Sequence, residues 1–461
     1  MSRGKYESRR PRRRFNYGFF VTVVVALALV LGVALLLLKA CSTDPGSSAA
    51  TTTTPGATQS SSTQTTPPPT TEPAPTEPYV TSTASIGVTG DIMGHMPVIN
   101  AGKTSNGYDF DPIYSYIKPY YERYDFMVAN LEVNLGGEKA GPYQGYPTFN
   151  SPDETALALK NAGVDMVLTA NNHSYDIGHD SFIRTQEVLN EIGLQHLGTR
   201  LSTDDKAYTI QDINGIQVGM ICYTYETGDP TNSRKQLNGI PLTVADSELV
   251  SSFNYKDLGS FYAEVQTALS QMEAEGAETT MLYIHWGDEY ALAPNKTQKQ
   301  IAQQLCELGV DVIVGGHPHV VEPFETLTSA DGNKTYCIYS VGNAISNQRA
   351  ETLANTTRNA QYTEDGMIFN VVFQKWNDGR VEVAEIDILP TWVNKEVKGG
   401  KTVYNIIPLD RAVAVWDSFD VSTQHDPYDS YERTMSLVGD GLNECRQALG
   451  LETVPLTHGA E

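Results

Sequence analysis

The chain has 461 residues, a formal net charge of −23 and hydrophobic residues at 40% of its positions. This length allows one large domain or two ordinary ones, with a sizeable core. The acidic balance excludes a broad basic face that would release counterions from nucleic acid, so no nucleic-acid partner is expected.

The first 38 residues predict a membrane anchor. Residues 1–16 form a basic cytoplasmic tail, in which seven Lys or Arg and one Glu between positions 2 and 14 give +6. Residues 17–38 carry no charge and are long enough to cross a bilayer as one helix. The basic cluster stays in the cytoplasm, so a single-pass cell-membrane protein with an extracytoplasmic bulk is predicted.

Two other interpretations of this segment remain open. A cleaved signal peptide is one, although its apolar stretch is usually only about 7 to 15 residues long. Lipidation of Cys41 is the other, and it is the weaker alternative because Lys39 is a poor residue before a lipoprotein cysteine.

Residues 15–461 carry a net charge of −29, which is −23 less +6. An anionic substrate would therefore need local positive charge, most simply from metal ions.

Residues 39–80 predict a disordered extracytoplasmic stalk. Within this range, residues 42–78 are almost entirely Ser, Thr, Pro, Ala and Gly. Such a composition cannot bury a core, and its prolines favour extended spacers.

Alternating strands and helices predict an α/β core over residues 81–345. Six apolar runs are typical of buried strands: Ser85–Thr89, Phe126–Leu131, Val164–Ala170, Val218–Tyr223, Met281–Ile284 and Val310–Val314. Three helices between them end at a glycine: Glu154–Ala162, Phe182–Ile192 and Lys299–Leu308. This alternation predicts a mostly parallel sheet with right-handed crossovers.

Residues 346–461 are predicted to complete the same domain. The runs Gly366–Gln374 and Arg380–Leu389 flank an Asn-Asp-Gly turn, which is a hairpin signal, and we expect a second sheet packed on the first. Residues 428–449 predict a C-terminal helix. The five cysteines are too few for a disulfide framework and are interpreted as buried apolar residues, with one bridge left open.

Polar side chains directly follow five of the predicted strands. In open α/β sheets, ligands bind beyond the carboxyl ends of the strands, so these residues should share one site. Each alone has a structural explanation, such as a turn or a helix cap. Their joint occurrence favours one or two divalent metal ions, and the mixed oxygen and nitrogen set suits Mn, Fe or Zn. The residues are Asp91, Asn130, Glu132, Asn171, Asn172, His173, His285, His317 and His319.

Six motifs in chain order carry a resemblance to a known family. They are Gly90–Met93, Ala129–Glu132, Ala170–Gly178, His285–Tyr290, Gly316–His319 and Tyr339–Asn343. Together they resemble the CapA family of bacterial capsule and poly-γ-glutamate synthesis proteins, over roughly residues 85 to 389. That family is similar in fold to calcineurin-like metallophosphoesterases. The resemblance therefore implies a four-layer α/β/β/α sandwich.

The resemblance also implies a role for each site residue. The first metal would be held by Asp91 and His319, the second by Asn172, His285 and His317, and Glu132 would bridge them. His173, oriented by Asp176, would be the acid that protonates a leaving group. Asn130 and Asn343 would bind substrate, and a plain turn residue is an equal alternative for Asn343.

Two positions depart from the phosphoesterase pattern. Met93 stands where a histidine ligand is expected, which weakens the first metal site. His95 lies two residues further on and is a candidate substitute, although an exposed loop residue is the simpler interpretation. Glu132 takes the place of the usual bridging aspartate and would change the metal spacing.

Two functions follow as hypotheses. The first is a membrane-anchored, metal-dependent hydrolase acting on an anionic cell-surface polymer such as poly-γ-glutamate, or on a phosphoester linked to it. The second is a non-catalytic binding or assembly factor that acts with membrane synthase subunits. Met93 favours the second hypothesis, and the pair Asn172 and His173 favours the first.

Overall fold

The structure is a computed structural model that describes residues 77–422 and 427–458. The predicted basic tail, membrane helix, Cys41 and almost all of the stalk lie outside these residues. Within the described ranges, no helix is both long and apolar enough to cross a membrane.

The first sheet has eight strands and is centred on β1, which spans Val80–Ile92. Strands are numbered along the chain, and the other members are β4 (Phe126–Leu131), β5 (Met166–Leu168), β6 (Gln195–Leu197), β16 (Asn343–Ile345), β17 (Asp365–Trp376), β18 (Val381–Lys398) and β19 (Lys401–Pro408). The order is β19-β18-β17-β1-β4-β5-β6, and β16 also pairs with β1. The strands β1, β4, β5 and β6 run parallel, whereas β17 to β19 are antiparallel to their neighbours.

The second sheet has seven strands, all between residues 208 and 341. They are β7 (Tyr208–Ile213), β8 (Ile216–Tyr225), β11 (Ser252–Phe253), β12 (Thr279–His285), β13 (Val312–Gly316), β14 (Val321–Thr328) and β15 (Lys334–Val341). The order is β11-β8-β12-β13-β15-β14, with β7 paired to β8. Two small hairpins complete the strands: β2 (Lys103–Thr104) with β3 (Gly107–Tyr108), and β9 (Gln236–Leu237) with β10 (Ile240–Pro241).

Helices connect the strands. The longer ones are Glu154–Asn161, His179–Ile192, Leu258–Ala274, Lys296–Glu307 and Pro427–Ala448. Shorter ones are Met96–Ala101, Asp111–Tyr114, Lys118–Tyr121, Val244–Ser247, Ala350–Leu353 and Val415–Ser418, with 3₁₀ turns at Glu138–Ala140 and Ala360–Glu364. Gly193 and Gly309 follow two helices with positive φ angles of 66° and 91°, as expected for a glycine stop.

Three buried clusters define the layers. The first fills the space between the sheets and includes Ile86, Met220 and Val312. The second lies between the first sheet and its helices and includes Leu159 and Leu189. The third packs the helices Leu258–Ala274 and Lys296–Glu307 on the second sheet. The described residues thus stack as helices, sheet, sheet and helices, and the α/β class is confirmed.

The predicted division into sheets is wrong. All six predicted strands exist, but they do not belong to one sheet. Three of them, β1, β4 and β5, lie in the first sheet, and the other three, β8, β12 and β13, lie in the second sheet. The hairpin after residue 365 exists too, yet its strands extend the first sheet by pairing with the free edge of β1. Apolar alternation reports that a strand is buried, and it carries no information about which distant strand is its neighbour.

The cysteine interpretation holds for the four residues in the described part. Cys222, Cys306, Cys337 and Cys445 are all buried and free. Burial raises the pKa of the Cys222 thiol to about 12, so it behaves as a small apolar side chain.

The C-terminal helix is tied to the first sheet by a buried ion pair. Asp365 is 1% exposed and accepts hydrogen bonds from Arg433 Nε at 2.7 Å, Arg433 Nη2 at 2.6 Å and Ser430 Oγ at 2.7 Å. Burial raises the pKa of Asp365 to about 6, although Arg433 opposes this shift. The pair therefore fixes helix Pro427–Ala448 on the start of β17.

We expect Arg433→Met to lower the free energy of unfolding by about 2 kcal/mol at pH 8, because it leaves a buried carboxylate without its cation. The loss should shrink as the pH falls through the raised pKa of Asp365, since a protonated carboxyl has no charge to pair. Urea unfolding at pH 8 and pH 5 measures both. Arg380→Met, which breaks the exposed pair with Asp378, is the control and should change stability by less than about 0.5 kcal/mol. Equal effects of the two substitutions would contradict the role assigned to Arg433.

Candidate metal centre

The structure brings the predicted site residues together at the carboxyl ends of strands from both sheets. Each of the ten is buried. They are Asp91, Asn130, Glu132, Asn172, His173, Asp176, His285, His317, His319 and Asn343. The two sheets meet here directly, because Asp91 of the first lies 3.1 Å from His319, which follows a strand of the second.

Asp91 is aimed into the site by an irregularity in β1. Along this strand, Ile86 and Val88 point toward the second sheet, so simple alternation would turn Asp91 toward the helices. Register shifts between Thr89 and Asp91 and between Asp91 and Ile92 break that alternation. Asp91 Oδ2 then lies 3.1 Å from His319 Nδ1, and Asp91 Oδ1 accepts a hydrogen bond from Asn130 at 2.7 Å.

Glu132 has an incomplete set of partners. Its Oε2 accepts a long hydrogen bond from Asn130 Nδ2 at 3.3 Å. Its Oε1 is buried without a hydrogen bond and lies 3.3 Å from His285 Nε2 and 4.0 Å from His319 Nε2. An orphaned carboxylate oxygen facing two imidazoles is costly by itself and is satisfied by a cation.

His317 shows the same deficit from the other side. Its Nδ1 is buried without a partner, and its ring centre lies 4.8 Å from that of His285. His317 and His319 also have positive φ angles of 96° and 57°, a strained backbone that is concentrated at functional sites. His285 Nε2 lies 2.9 Å from Asn172 Oδ1, which joins the loop after β5 to the second sheet.

Two groups of three ligand atoms could each hold a metal ion. One consists of Glu132, His317 and His319, and the other of Asp91, Glu132 and His285; within each, the atoms lie within 4.8 Å of one another. Glu132 belongs to both groups, as a bridging residue would. The grouping differs from the expected partition, because His317 goes with His319 and Asp91 goes with His285.

Burial and repulsion between imidazoles favour the neutral forms of His285 and His317. Burial lowers the pKa of His285 to about 3, although Asp91 opposes the shift. Burial, and then His285 and His319, hold the pKa of His317 well below its usual range. Neutral imidazoles keep the lone pairs that metal ligation needs.

The two carboxylates at the centre are shifted in opposite directions. Burial raises the pKa of Asp91, but His319, His285 and Asn130 outweigh it, so the net shift is downward. Burial, and then the negative charges of Asp91, Glu289 and Asp176, raise the pKa of Glu132 well above its usual range. Without a cation, the site therefore favours the ionised form of Asp91 and disfavours the ionised form of Glu132.

His173 and Asp176 form a separate buried pair beside this centre. His173 Nδ1 lies 2.7 Å from Asp176 Oδ2, which also accepts a hydrogen bond from the backbone N–H of Phe149 at 2.7 Å. An Nδ1–H bonded to a carboxylate leaves Nε2 as the exchangeable position of the ring. The arrangement can orient an acid, which is the role that the family resemblance implies for His173.

Two predicted substrate-binding residues are turned into the protein instead. Asn130 donates to Asp91 and Glu132 and accepts from Asn171, so its amide positions both carboxylates. Asn343 is 0% exposed, and its amide contacts His319, Ser346, Gln348 and the carbonyl of Thr363. These amides have no free group for a substrate, because supporting the carboxylates and the His319 loop uses them fully.

Met93 does not occupy a ligand position. It is 1% exposed and packs in the helix-side core with Val98 and Phe110, the side to which the alternation of Ile86 and Val88 also assigns it. Met93 thus supplies no ligand, and the expectation of a weakened first metal site stays a prediction.

We expect Met93→His to add no metal to the protein. The new imidazole would be buried among apolar side chains without a partner, so the free energy of unfolding should fall by about 2 to 4 kcal/mol. Met93→Leu, which conserves volume, is the control and should cost less than about 1.5 kcal/mol. Metal content by elemental analysis and urea unfolding measure the two effects; an additional metal equivalent would contradict this placement.

Three further residues at the site were missed from sequence. Tyr225 and Tyr290 flank the histidines, with ring centres 4.9 Å from His317 and 6.2 Å from His319, respectively. Asn238, at the tip of the β9–β10 hairpin, places its Nδ2 3.5 Å from His173 Nδ1. Only Asn238-Gly239 had a local signal, that of a tight turn, and both residues have the positive φ that such a turn requires.

Comparison with known proteins gives a consistent result. The model of the family described as bacterial capsule synthesis protein PGA_cap matches residues 85–348. The chain is 27% identical over 341 residues to the PGA biosynthesis protein CapA of Bacillus subtilis (strain 168), covering 72% of this chain and 80% of that protein. It is 26% identical over 247 residues to the capsule biosynthesis protein CapA of Bacillus anthracis, covering 53% of this chain and 56% of that protein.

Among solved structures, the chain is similar to the NAD nucleotidase NadN of Haemophilus influenzae. The sequences are 12% identical, and the match covers 80% of this chain and 59% of that chain with a TM-score of 0.40. At this TM-score the similarity is distant.

Proposed function

This chain belongs to the PGA_cap family of bacterial capsule synthesis proteins, and from that premise we propose that it is a metal-dependent hydrolase with a metallophosphoesterase-like site. Its substrate would be an anionic cell-surface polymer such as poly-γ-glutamate, or a phosphoester linked to it. The membrane anchor of residues 17–38, its cytoplasmic N-terminus and contacts with synthase subunits are further parts of this proposal.

One observation carries the proposal: two residues of one candidate ligand group each have a buried polar atom without a hydrogen-bond partner. Glu132 Oε1 and His317 Nδ1 make no hydrogen bond, and the two residues belong to one group whose ligand atoms lie within 4.8 Å of one another. Each unsatisfied buried group costs about 1–3 kcal/mol, and a cation bound between these two residues would offset that cost. The residues present fit a divalent cation, with Mn, Fe and Zn as candidates.

The residues around this space would divide the work. A bound divalent cation would supply Lewis-acid chemistry. Glu132, His317 and His319, together with Asp91 and His285, would hold one or two such ions. Asn172 orients His285 through the 2.9 Å contact, and Asn130 keeps the two carboxylates in place.

His173 is assigned to proton transfer. Asp176 fixes the ring through Nδ1, which leaves Nε2 to donate a proton to the departing oxygen or nitrogen. Asn238 Nδ2 lies 3.5 Å from the same Nδ1, so the tip of the β9–β10 hairpin borders the ring. A factor without catalytic activity would not need this buried pair.

The alternative, a non-catalytic binding or assembly factor, is favoured by one observation. Among the described residues, the charges with the largest effect on Glu132 are negative, so the site by itself repels an anionic polymer. Bound cations would have to reverse this field before such a substrate could enter.

The test uses the purified full-length chain in detergent. Metal content is measured by elemental analysis, and hydrolysis is followed with bis(p-nitrophenyl) phosphate and with poly-γ-glutamate. We expect at least one metal per chain and turnover of at least one substrate, with His173→Gln retaining metal but losing about 10²-fold or more in rate. A parent chain without metal and without turnover would favour the assembly factor.

A further inference from the structure

His95 stands at the edge of the metal centre, on the side of His173 and His319. It lies four residues beyond Asp91 and directly precedes helix Met96–Ala101. Burial, and then the charges of His319 and His173, lower the pKa of His95 to about 3. The ring is therefore a neutral group close to the two histidines, and not an exposed loop residue as the sequence suggested.

One hydrogen bond fixes the tautomer of this ring. The backbone N–H of Asn347 donates to His95 Nδ1 at 3.2 Å. A backbone N–H can only donate, so Nδ1 must carry the lone pair and Nε2 must carry the proton. An imidazole binds a metal through a lone pair, and the only one of His95 is already engaged. His95 is thus a donor and does not replace the ligand expected near position 93.

Phe149 holds His95 and His173 in one arrangement. Its ring makes an edge contact with His95, at 5.3 Å between centroids and 89° between planes. It makes a second edge contact with His173, at 4.7 Å and 84°. Asp176 anchors Phe149 and His173, since it accepts a hydrogen bond from the Phe149 N–H and contacts His173 Nδ1. A donor and an acid are therefore presented by one packed unit.

We propose that His95 is a substrate-binding residue whose Nε2–H donates to an anionic oxygen, of phosphoryl type, held at the metal centre. The existence of such a substrate rests on the proposed function. The surrounding carboxylates Asp91, Glu132 and Asp176 repel an anion, so an oxyanion needs donors in addition to cations. A neutral N–H supplies one without competing with a cation for the carboxylates.

Two substitutions test the two ring nitrogens of His95 separately. His95→Asn places a carbonyl oxygen near the position of Nδ1, so it can still accept from Asn347 N–H but has no donor at the position of Nε2. His95→Gln places an amide N–H near the position of Nε2 and so keeps the donor. The pair distinguishes loss of the donor from loss of the structural bond.

The experiment measures inorganic phosphate binding by calorimetry and metal content by elemental analysis on the full-length chain. We expect both variants to keep the parent's metal content. His95→Asn should weaken phosphate binding about 10-fold or more, the effect of one hydrogen bond to a charged group, and His95→Gln should stay within about threefold of the parent.

Several results would overturn this inference. Loss of metal in both variants would make His95 a ligand, and unchanged phosphate affinity in His95→Asn would remove the donor role. A parent chain that does not bind phosphate would also refute it. In contrast, phosphate binding that depends on His95 in a chain without turnover would leave the inference standing while the proposed hydrolase function fails.

Discussion

His317→Ala is expected to lower hydrolysis by about 10³-fold or more and to reduce the bound metal. Lewis-acid stabilisation by a cation contributes several kcal/mol, and about 1.4 kcal/mol corresponds to a factor of ten in rate. His317 Nδ1 has no hydrogen-bond partner, so its contribution to the protein without metal is small. The His317 side chain should therefore contribute to binding and rate only when a cation is bound.

The stability of this variant keeps the result interpretable. His317 has a φ of 96°, and alanine retains Cβ, so the backbone strain is the same in both proteins. Removing an unpaired polar atom offsets part of the cost of the cavity. The metal-free variant should therefore unfold within about 1 kcal/mol of the metal-free parent, and loss of metal cannot be attributed to misfolding.

The measurements are elemental analysis, turnover of bis(p-nitrophenyl) phosphate and urea unfolding with and without a chelator. His458→Ala is the matched control, since it removes an imidazole that stacks on Tyr428 in the C-terminal segment. It should retain metal and rate. Full turnover in His317→Ala would refute the site assignment, even if the protein is a hydrolase.

The convergence of the site was predictable because it depends on a rule about strand ends. Asp91, His285 and His317 lie at or just beyond the carboxyl ends of strands with parallel neighbours, and such ends face the same crevice. The apolar runs identified the strands, and the glycine after each of the three predicted helices of the core identified its end. The family resemblance added the order of the motifs, and the matched family bears it out.

The direction of individual side chains could not be predicted. Asn130 and Asn343 look like free amides at strand ends, but their partners come from other strands and loops, which no local pattern identifies. The two register shifts in β1 that turn Asp91 into the site, and so separate it from Met93, have no local sequence signal. His95 was taken for a loop residue because the N–H that orients it lies 252 residues away along the chain.

The central carboxylate leads to a prediction with effects of opposite sign. Glu132→Gln should abolish metal binding, because Glu132 belongs to both ligand groups. The same substitution should stabilise the metal-free protein by about 1–3 kcal/mol at pH 8, because it removes a buried, incompletely satisfied charge. A structural carboxylate would show the reverse, since its loss would destabilise the protein.

The pH dependence identifies the charge as the cause. Burial, Asp91, Glu289 and Asp176 raise the pKa of Glu132, so the native metal-free state holds its proton above the usual range near 4.5. Since the native state then binds more protons than the unfolded state, stability falls with rising pH, at up to about 1.4 kcal/mol per unit. His285 and His317 have lowered pKa values and act only below about pH 6.5, so the range from 6.5 to 9 isolates buried acids.

Glu322→Gln provides the matched comparison. Glu322 is also 0% exposed with an unpaired Oε1, and burial raises its pKa to about 8, but it bonds Gln298 and belongs to neither ligand group. Both substitutions should flatten the stability profile between pH 6.5 and 9 when a chelator is present. Added metal should raise the unfolding free energy of Glu322→Gln and of the parent, and leave Glu132→Gln unchanged. Stabilisation of Glu132→Gln by metal would show that the cation is held elsewhere, because no ligand set described around this crevice is complete without Glu132.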